Sequence, residues 1–179
     1  CTTEQQIVYA LKEQLKKRQT NLSIPIRISL ADYKKYFNNR TYLLDFYEKA
    51  VAHTGVPNEG DYINYNVCGF SGKYIANIDY YNVVDLVMSM TVTYNSPSSS
   101  EYKVVNKVNE IVNKLNLHSD KISLYKKLVL IYDYLCKNTV YDNVHTDGTY
   151  YTKYSTYGCL IDGMCVCQGF ASALYRLEL

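Results

Sequence analysis

The chain has 179 residues, of which 47% are hydrophobic and 20% charged, and its formal net charge is +2. This composition is typical of a globular protein with a sizeable core and excludes a disordered tail. The small charge gives no argument for nucleic acid as a partner, and no apolar run approaches the ~20 residues of a membrane-spanning helix. The 21 tyrosines fit half-buried strand positions, with a carbohydrate- or peptide-binding face as the alternative.

Helical and strand patterns alternate through the first part of the chain. Apolar residues at helical spacing predict helices over residues 3–18 and 42–53, the first with a capping box that begins at Thr3. Residues 22–28 alternate as a strand does. Since Pro25 has no amide hydrogen to donate, this segment is an edge strand or the beginning of a strand.

Three further segments have strand periodicity: residues 62–68, 73–81 and 85–94. Together they predict an antiparallel meander. The polar run Asn-Ser-Pro-Ser-Ser-Ser that follows is the best boundary in the sequence. We therefore expect an α+β protein, with an N-terminal α/β region over residues 1–96 and a second, largely helical region over residues 97–179.

Two helices are predicted at the start of the second region. Ser98 and Glu101 have capping-box spacing, and the helix after them runs to about residue 116. The next helix has an apolar face composed of Ile122, Tyr125, Val129, Tyr132 and Cys136. The two helices predict an αα-hairpin, and the polar residues 143–153 predict a surface loop after it.

Cys167 is the candidate nucleophile. Phe170, Leu174 and Leu177 recur at helical spacing, and a helix that begins near residues 165–167 places Cys167 in its first turn. Unpaired backbone amides and the positive end of the helix dipole favour a thiolate there. Gly169 permits close approach of a chain segment or a substrate. The alternative is a buried cysteine that only packs.

Five other cysteines are spread along the chain. The spacing of all six predicts no regular disulfide framework. Cys159, Cys165 and Cys167 cluster, but a C-x-C spacing without a fourth ligand is not that of structural zinc. We predict no metal ion and no other cofactor, and we interpret Cys165 as packed or as one half of a regulatory disulfide.

The segment YSTYGCLIDGMCVCQGFASALYRL, residues 154–177, resembles the nucleophile segment of the bacterial transglutaminase-like superfamily. The usual form there is A-Y-G-x-L-x-x-G-x-x-V-C-[QE]-G-Y-A. The matching positions are Tyr157, Gly158, Leu160, Gly163, Val166, Cys167, Gln168, Gly169 and Ala171, and Phe170 replaces the usual Tyr. Residues 121–142 resemble the helix that precedes this segment, so the resemblance covers about a third of the chain.

The resemblance implies the helical half of a papain-like core and a cysteine-based acyl transfer. The Cys167 thiolate would attack an amide carbonyl of a protein or peptide substrate, and an amine or water would resolve the thioester. The amide of Cys167 would serve as an oxyanion donor and Gln168 would support the turn. Tyr157 would close the cleft or pack between helix and turn. A non-catalytic module that binds peptide or cell-wall material is the alternative, and a partner-binding, Tyr-rich sheet in the first region is another.

One departure from the family pattern concerns the base. Family members carry a His and then an Asp on strands that follow the nucleophile helix, and the given sequence contains no residues there. Its histidines, His53, His118 and His145, all precede Cys167 and match no catalytic position of the family. We therefore expect either a fragment of a longer protein or a truncated relative, inactive as these 179 residues alone. We also expect the face around Phe170 and Leu174 to be exposed and to drive self-association.

The first residue is Cys1, as in a mature bacterial lipoprotein. Lipidation at Cys1 would tether the protein to a membrane and place it at the cell surface. An arbitrary chain boundary is the alternative interpretation.

Overall fold

The computed structural model describes residues 1–146 and 148–178. It mixes helices with an antiparallel sheet, so the predicted α+β class is confirmed at that level. The elements are α1 (Glu4–Lys16), β1 (Asn21–Ser29), α2 (Leu30–Phe37), α3 (Tyr42–Ala50), α4 (Asp61–Asn66), β2 (Val67–Ile78), β3 (Val83–Tyr94), α5 (Glu101–Lys114), α6 (Leu124–Asn138), β4 (Val140–Tyr141), β5 (Met164–Cys165) and α7 (Cys167–Glu178). None of these helices is long and apolar enough to cross a membrane.

The chain divides into two compact units. The first consists of Cys1–Thr54, Glu59–Ile63 and Val67–Tyr94, and the second of Gly55–Asn58, Asn64–Asn66 and the described chain from Asn95 onward.

The first unit is a three-stranded antiparallel sheet in the order β1-β3-β2, with one face covered by helices. Residues of β1 alternate between exposed and buried, as the sequence predicts, because successive side chains point to opposite faces. Pro25 lies in this edge strand, and its carbonyl accepts a hydrogen bond from the Cys1 amine at 2.9 Å. Thr3 caps α1 by accepting from the Gln6 amide.

Two expectations for residues 1–96 are wrong. Residues 61–66 form α4 rather than a strand, since Tyr62, Ile63 and Asn66 are buried at helical spacing. The meander is also wrong, because β1 pairs with β3 and the sheet contains only two of the three predicted segments. The periodicity of the sequence does not predict α2, which Ser29 caps by accepting a hydrogen bond from the Asp32 amide at 3.1 Å.

In the second unit, α5, α6 and α7 surround a small apolar cluster that includes Ile111, Ile131 and Leu177. The apolar face predicted for α6 is wrong, because Tyr125 and Tyr132 are 77% and 64% exposed. A tyrosine tolerates solvent through its hydroxyl, so its spacing does not determine the buried side of a helix. The Ser98 capping box is also wrong: residues 98–100 form a short 3₁₀ helix, and no side chain caps α5.

A two-stranded parallel sheet positions the candidate site. Strand β4 pairs with β5, and the amides of Val140 and Asp142 each donate at 2.9 Å to carbonyls of Gly163 and Cys165. The carboxyl ends of parallel strands lie at the same edge of a sheet. The residues that follow β4 therefore leave the sheet beside those that lead into α7.

Candidate functional site

Cys167 is exposed and is the first residue of α7, so the predicted helix start is confirmed. The Phe170 amide donates to the Val166 carbonyl at 3.1 Å and closes the first turn. Amides earlier in that turn have no acceptor within the helix. The thiol thus lies at a helix N-terminus, beside backbone donors that can bind an oxyanion.

The two cysteines nearest in sequence to Cys167 are buried. Cys165 is 0% exposed and Cys159 is 1% exposed, with its thiol 3.7 Å from the Thr139 hydroxyl. The neighbouring Cys159 thiol, together with burial, raises the pKa of Cys165, so Cys165 stays protonated. Within residues 1–146 and 148–178, no three His, Cys, Asp or Glu residues are grouped in a way that would hold a metal ion.

Gly169 packs against the backbone of Lys153. A Cβ atom at position 169 would lie 2.6 Å from the Lys153 carbonyl oxygen and 2.6 Å from the Cβ of Cys165. The same Lys153 carbonyl accepts from the Val166 amide at 3.1 Å. The close approach that Gly169 permits is therefore by a chain segment, which fixes the entry into α7.

The other two predicted support residues have contacts of their own. The Gln168 amide group donates to the Tyr65 carbonyl at 2.7 Å, so Gln168 binds the segment 64–66. The ring of Tyr157 lies 5.9 Å from the Lys103 ammonium on α5. These contacts place Gln168 and Tyr157 in packing between elements of the second unit.

An Asp–His pair follows β4. Asp142 accepts from the amides of Val144 and His145 at 2.9 and 3.0 Å, and Nδ1 of His145 lies 3.1 Å from Oδ2 of Asp142. The carboxyl group is fully buried, whereas the imidazole is 39% exposed. The His145 amide, together with the Val144 amide, lowers the pKa of Asp142, so this carboxylate is charged at neutral pH.

Further contacts hold the loop that contains His145. The Tyr150 ring packs on the imidazole at 4.7 Å between centroids, and its hydroxyl donates to Asp162 at 2.6 Å. The ammonium of Lys153 donates to the His145 carbonyl. Periodicity in the sequence does not reveal this pair, although an Asp at the start of a polar loop, with a His three residues later, is a signal for a turn closed by the Asp side chain.

The apolar face of α7 is partly covered. Phe170 and Leu174 pack against the apolar cluster of the second unit, and neither is exposed. The Phe170 ring stacks on Tyr141 of β4, with 6.4 Å between centroids and 12° between planes. The expectation of a bare face around these two residues is therefore wrong for the structure described.

In chemical terms, the second unit combines an exposed thiol at a helix start with a buried carboxylate that binds an imidazole. Such groups suit nucleophilic chemistry on a carbonyl carbon. No family model matches the chain, and no curated protein or solved structure was found to be similar to it.

Proposed function

We propose that the protein is a transglutaminase-like acyl transferase or amide hydrolase whose nucleophile is Cys167. One observation carries this proposal: of the three clustered cysteines, Cys167 alone is exposed, and it begins a helix. The resemblance of residues 154–177 to the transglutaminase-like nucleophile segment supports the same assignment. Within the proposal, the second unit corresponds to the helical half of a papain-like core.

The reaction begins when the Cys167 thiolate attacks the carbonyl carbon of a peptide bond or a glutamine side chain. The C–N bond breaks, the nitrogen leaves with a proton as an amine or ammonia, and a thioester remains on the sulfur. An amine or water then attacks the thioester and releases the thiol. The Cys167 amide supports this chemistry as an oxyanion donor, a kind of contact that contributes about 3–4 kcal/mol where it has been measured.

An amine-incorporation assay tests the proposal. The protein is incubated with a glutamine-containing peptide and a fluorescent primary amine, and mass spectrometry follows amine transfer and deamidation of the peptide. Cys167→Ala removes the proposed nucleophile, while Cys68→Ala removes an exposed thiol from the first unit as a matched control. Since no histidine of this chain matches the base of the family, we expect no turnover of the glutamine peptide by this chain alone. With an activated thioester peptide as the donor, we expect acylation of Cys167 in the unaltered chain and in Cys68→Ala, and none at position 167 in Cys167→Ala.

Two results would contradict the assignment. Equal acylation of Cys167→Ala would show that another group reacts. No acylation of Cys167 by the activated donor would mean that this thiol is not a nucleophile, and turnover of the glutamine peptide by the unaltered chain would overturn the expected inactivity.

A non-catalytic module that binds peptide or cell-wall material is the second candidate. It is favoured by apolar and aromatic side chains around the same loop: Tyr141 and Tyr151 are each 49% exposed and Val144 is 76% exposed. Exposed aromatic rings suit stacking on sugars or peptides. Binding of such a ligand that survives Cys167→Ala, in a protein whose Cys167 is not acylated by the activated donor, would select this candidate.

A further inference from the structure

We propose that the free edge of strand β2 pairs with β2 of a second copy of this chain, which joins two three-stranded sheets into one continuous sheet. The inference concerns the first unit alone and is independent of the proposed function. It rests on a difference between the two edge strands of the sheet, β1 and β2, and on the side chains that β2 exposes.

The free edge of β1 is closed by residues of the same chain. The Arg27 amide donates to the Cys1 carbonyl at 2.8 Å, and the Cys1 amine donates to the Pro25 carbonyl at 2.9 Å. Further along this edge, the Gln14 side chain accepts from the Ser23 amide at 3.2 Å and donates to the Ser23 carbonyl at 3.3 Å. Since Pro25 has no amide hydrogen, another strand finds no continuous row of free donors and acceptors on β1.

The free edge of β2 is not covered in this way. The Asp79 amide donates to the Val83 carbonyl at 3.0 Å, so these two residues are a hydrogen-bonded pair of the β2–β3 hairpin. Because such pairs alternate along an antiparallel ladder, the odd-numbered residues between 71 and 77 bond to β3. The even-numbered residues point their backbone groups away from β3: Gly72, Tyr74, Ala76 and Ile78. No other residue that the structure describes makes a hydrogen bond to these backbone groups.

Apolar side chains are exposed along the same strand. Ile75 is 74% exposed on the face of the sheet opposite the apolar core, and Ile78 is 50% exposed near the hairpin turn. A long, exposed edge strand with apolar side chains is a site at which another strand can add to the sheet. The unpaired backbone groups and the exposed side chains of β2 therefore indicate the same kind of partner, an extended strand.

A pairing centred on Ile75 makes β2 complementary to itself. In an antiparallel pair with a two-fold axis at this position, Ile75 meets Ile75 of the second copy. This pair is not hydrogen-bonded, and side chains are closest at such pairs. The same alignment places Ile78 opposite Gly72 of the second copy and Tyr74 opposite Ala76, and each of these pairs can exchange two backbone hydrogen bonds.

The charges of the strand also suit this alignment. Lys73 is the only charged residue of β2, and a lysine on an edge strand ordinarily opposes pairing with another strand. With Ile75 at the centre, Lys73 lies opposite Asn77 of the second copy and diagonal to its Asp79, within the reach of a long side chain. The lysine thus has an opposite charge as a neighbour in the dimer, which is why we favour a second copy as the occupant of this edge.

Sedimentation velocity and residue-resolved hydrogen exchange by NMR test the inference on the full chain. We expect a shift from monomer to dimer between about 10 μM and about 1 mM protein. Over the same range, the free amides of β2 should gain protection: Gly72, Tyr74, Ala76 and Ile78. The amides of Lys73 and Ile75 already bond to β3, so their exchange should not change. This alternation distinguishes pairing at the edge from association through any other surface.

Two lysine variants test the position of the contact. Ile75→Lys places two like charges directly opposite each other at the centre of the pairing, so we expect the dissociation constant of the dimer to rise at least about tenfold. Val87→Lys is the matched control, because Val87 lies beside Ile75 on the same face but in the central strand, and is also exposed, at 42%. We expect this control to dimerise as the unaltered chain does.

The inference is overturned if the unaltered chain sediments as a monomer at every concentration, a result that needs no variant to fold and leaves an extended segment of another protein as the occupant. It is also overturned if a dimer forms without protection of the free β2 amides, or if folded Ile75→Lys dimerises as before. Equal loss of the dimer in folded Val87→Lys would assign the contact to the open face of the sheet and reject pairing at the edge.

Discussion

The two units differ in what they bury. The first has an apolar core built on one face of a sheet, whereas every buried Asn, Asp, Lys, Ser or Thr that the structure describes lies in the second. These residues are Asn66, Asn95, Ser96, Thr139, Asp142, Lys153, Ser155, Thr156 and Ser172. A buried polar group costs free energy unless it is hydrogen-bonded. Part of the interior of the second unit therefore consists of polar side chains, whose hydrogen bonds hold chain segments in place.

The buried polar groups of the second unit form hydrogen bonds. Thr156 shares a hydrogen bond of 2.7 Å with Ser172 of α7, and the Thr139 hydroxyl donates to the Cys159 carbonyl at 2.9 Å. Satisfied buried networks specify one arrangement of the chain. The first unit is therefore organised for apolar burial, whereas the second contains hydrogen-bonded polar groups that connect its elements.

The largest expected effect is on the apolar core of the first unit. Phe37 is 2% exposed and packs on the rings of Tyr42, Phe46 and Tyr74. Phe37→Ala removes this packing and leaves a cavity, which should cost about 3–5 kcal/mol of unfolding free energy. Hydrogen exchange of the β3 amides measures the loss. A cost below about 1 kcal/mol would show that this core is not tightly packed.

Next in size is the close packing at Gly169. Gly169→Ala would place a methyl group against the Lys153 carbonyl, and overpacking of this kind costs about 1–3 kcal/mol despite the better helix propensity of Ala. Gly69→Ala is the matched control, because no atom lies within 4 Å of the added Cβ. Urea unfolding of both variants tests the difference. A neutral Gly169→Ala would mean that the α7 entry is loosely held.

We expect a fall in pH to lower the stability of the second unit through protonation of Asp142. The amides of His145 and Val144 hold its pKa below the ordinary value, so its contribution to stability is present above about pH 4 and is lost as pH falls through the lowered pKa. Hydrogen exchange of the α7 amides between about pH 5 and pH 2 measures this. Asp142→Asn should flatten the dependence, and an unchanged slope in that variant would assign the effect to other carboxylates.

The smallest effect is expected at an exposed ion pair of the first unit. Arg27 binds Asp85 across β1 and β3 at 2.9 Å, with both side chains more than half exposed. Such pairs contribute about 0.2–1 kcal/mol because solvent screens them. A double-mutant cycle with Arg27→Ala and Asp85→Ala gives the coupling energy. A coupling well above 1 kcal/mol would mean that surface charge matters to this unit as much as burial does.

Much of the first unit could be predicted from sequence. The alternation in β1 and β3 comes directly from a sheet with one buried face, and the cap at Thr3 is a local effect. The helix at residues 61–66, whose last three residues belong to the second unit, could not be predicted, because Asn66 accepts a hydrogen bond from the amide of Ser96, which is distant in sequence. A tertiary contact of that kind overrides the strand-like alternation of the segment.

The candidate site could be predicted only in part from the sequence. The start of α7 at Cys167 follows from helical spacing and from a glycine at Gly163 with a φ of 69°. The Asp142–His145 pair depends on a turn closed by the Asp side chain and on a parallel pairing between residues about 24 apart in sequence, which periodicity does not report.

The most direct test of Cys167 as the nucleophile is a single-turnover reaction with an activated acyl donor near neutral pH, followed by peptide mapping of the acylated sulfur. We expect a hydroxylamine-sensitive thioester on Cys167, with Cys68 and Cys136 unmodified although both are exposed. Acyl groups distributed over the three exposed thiols would contradict it, because Cys167 would then be no more reactive than any surface cysteine.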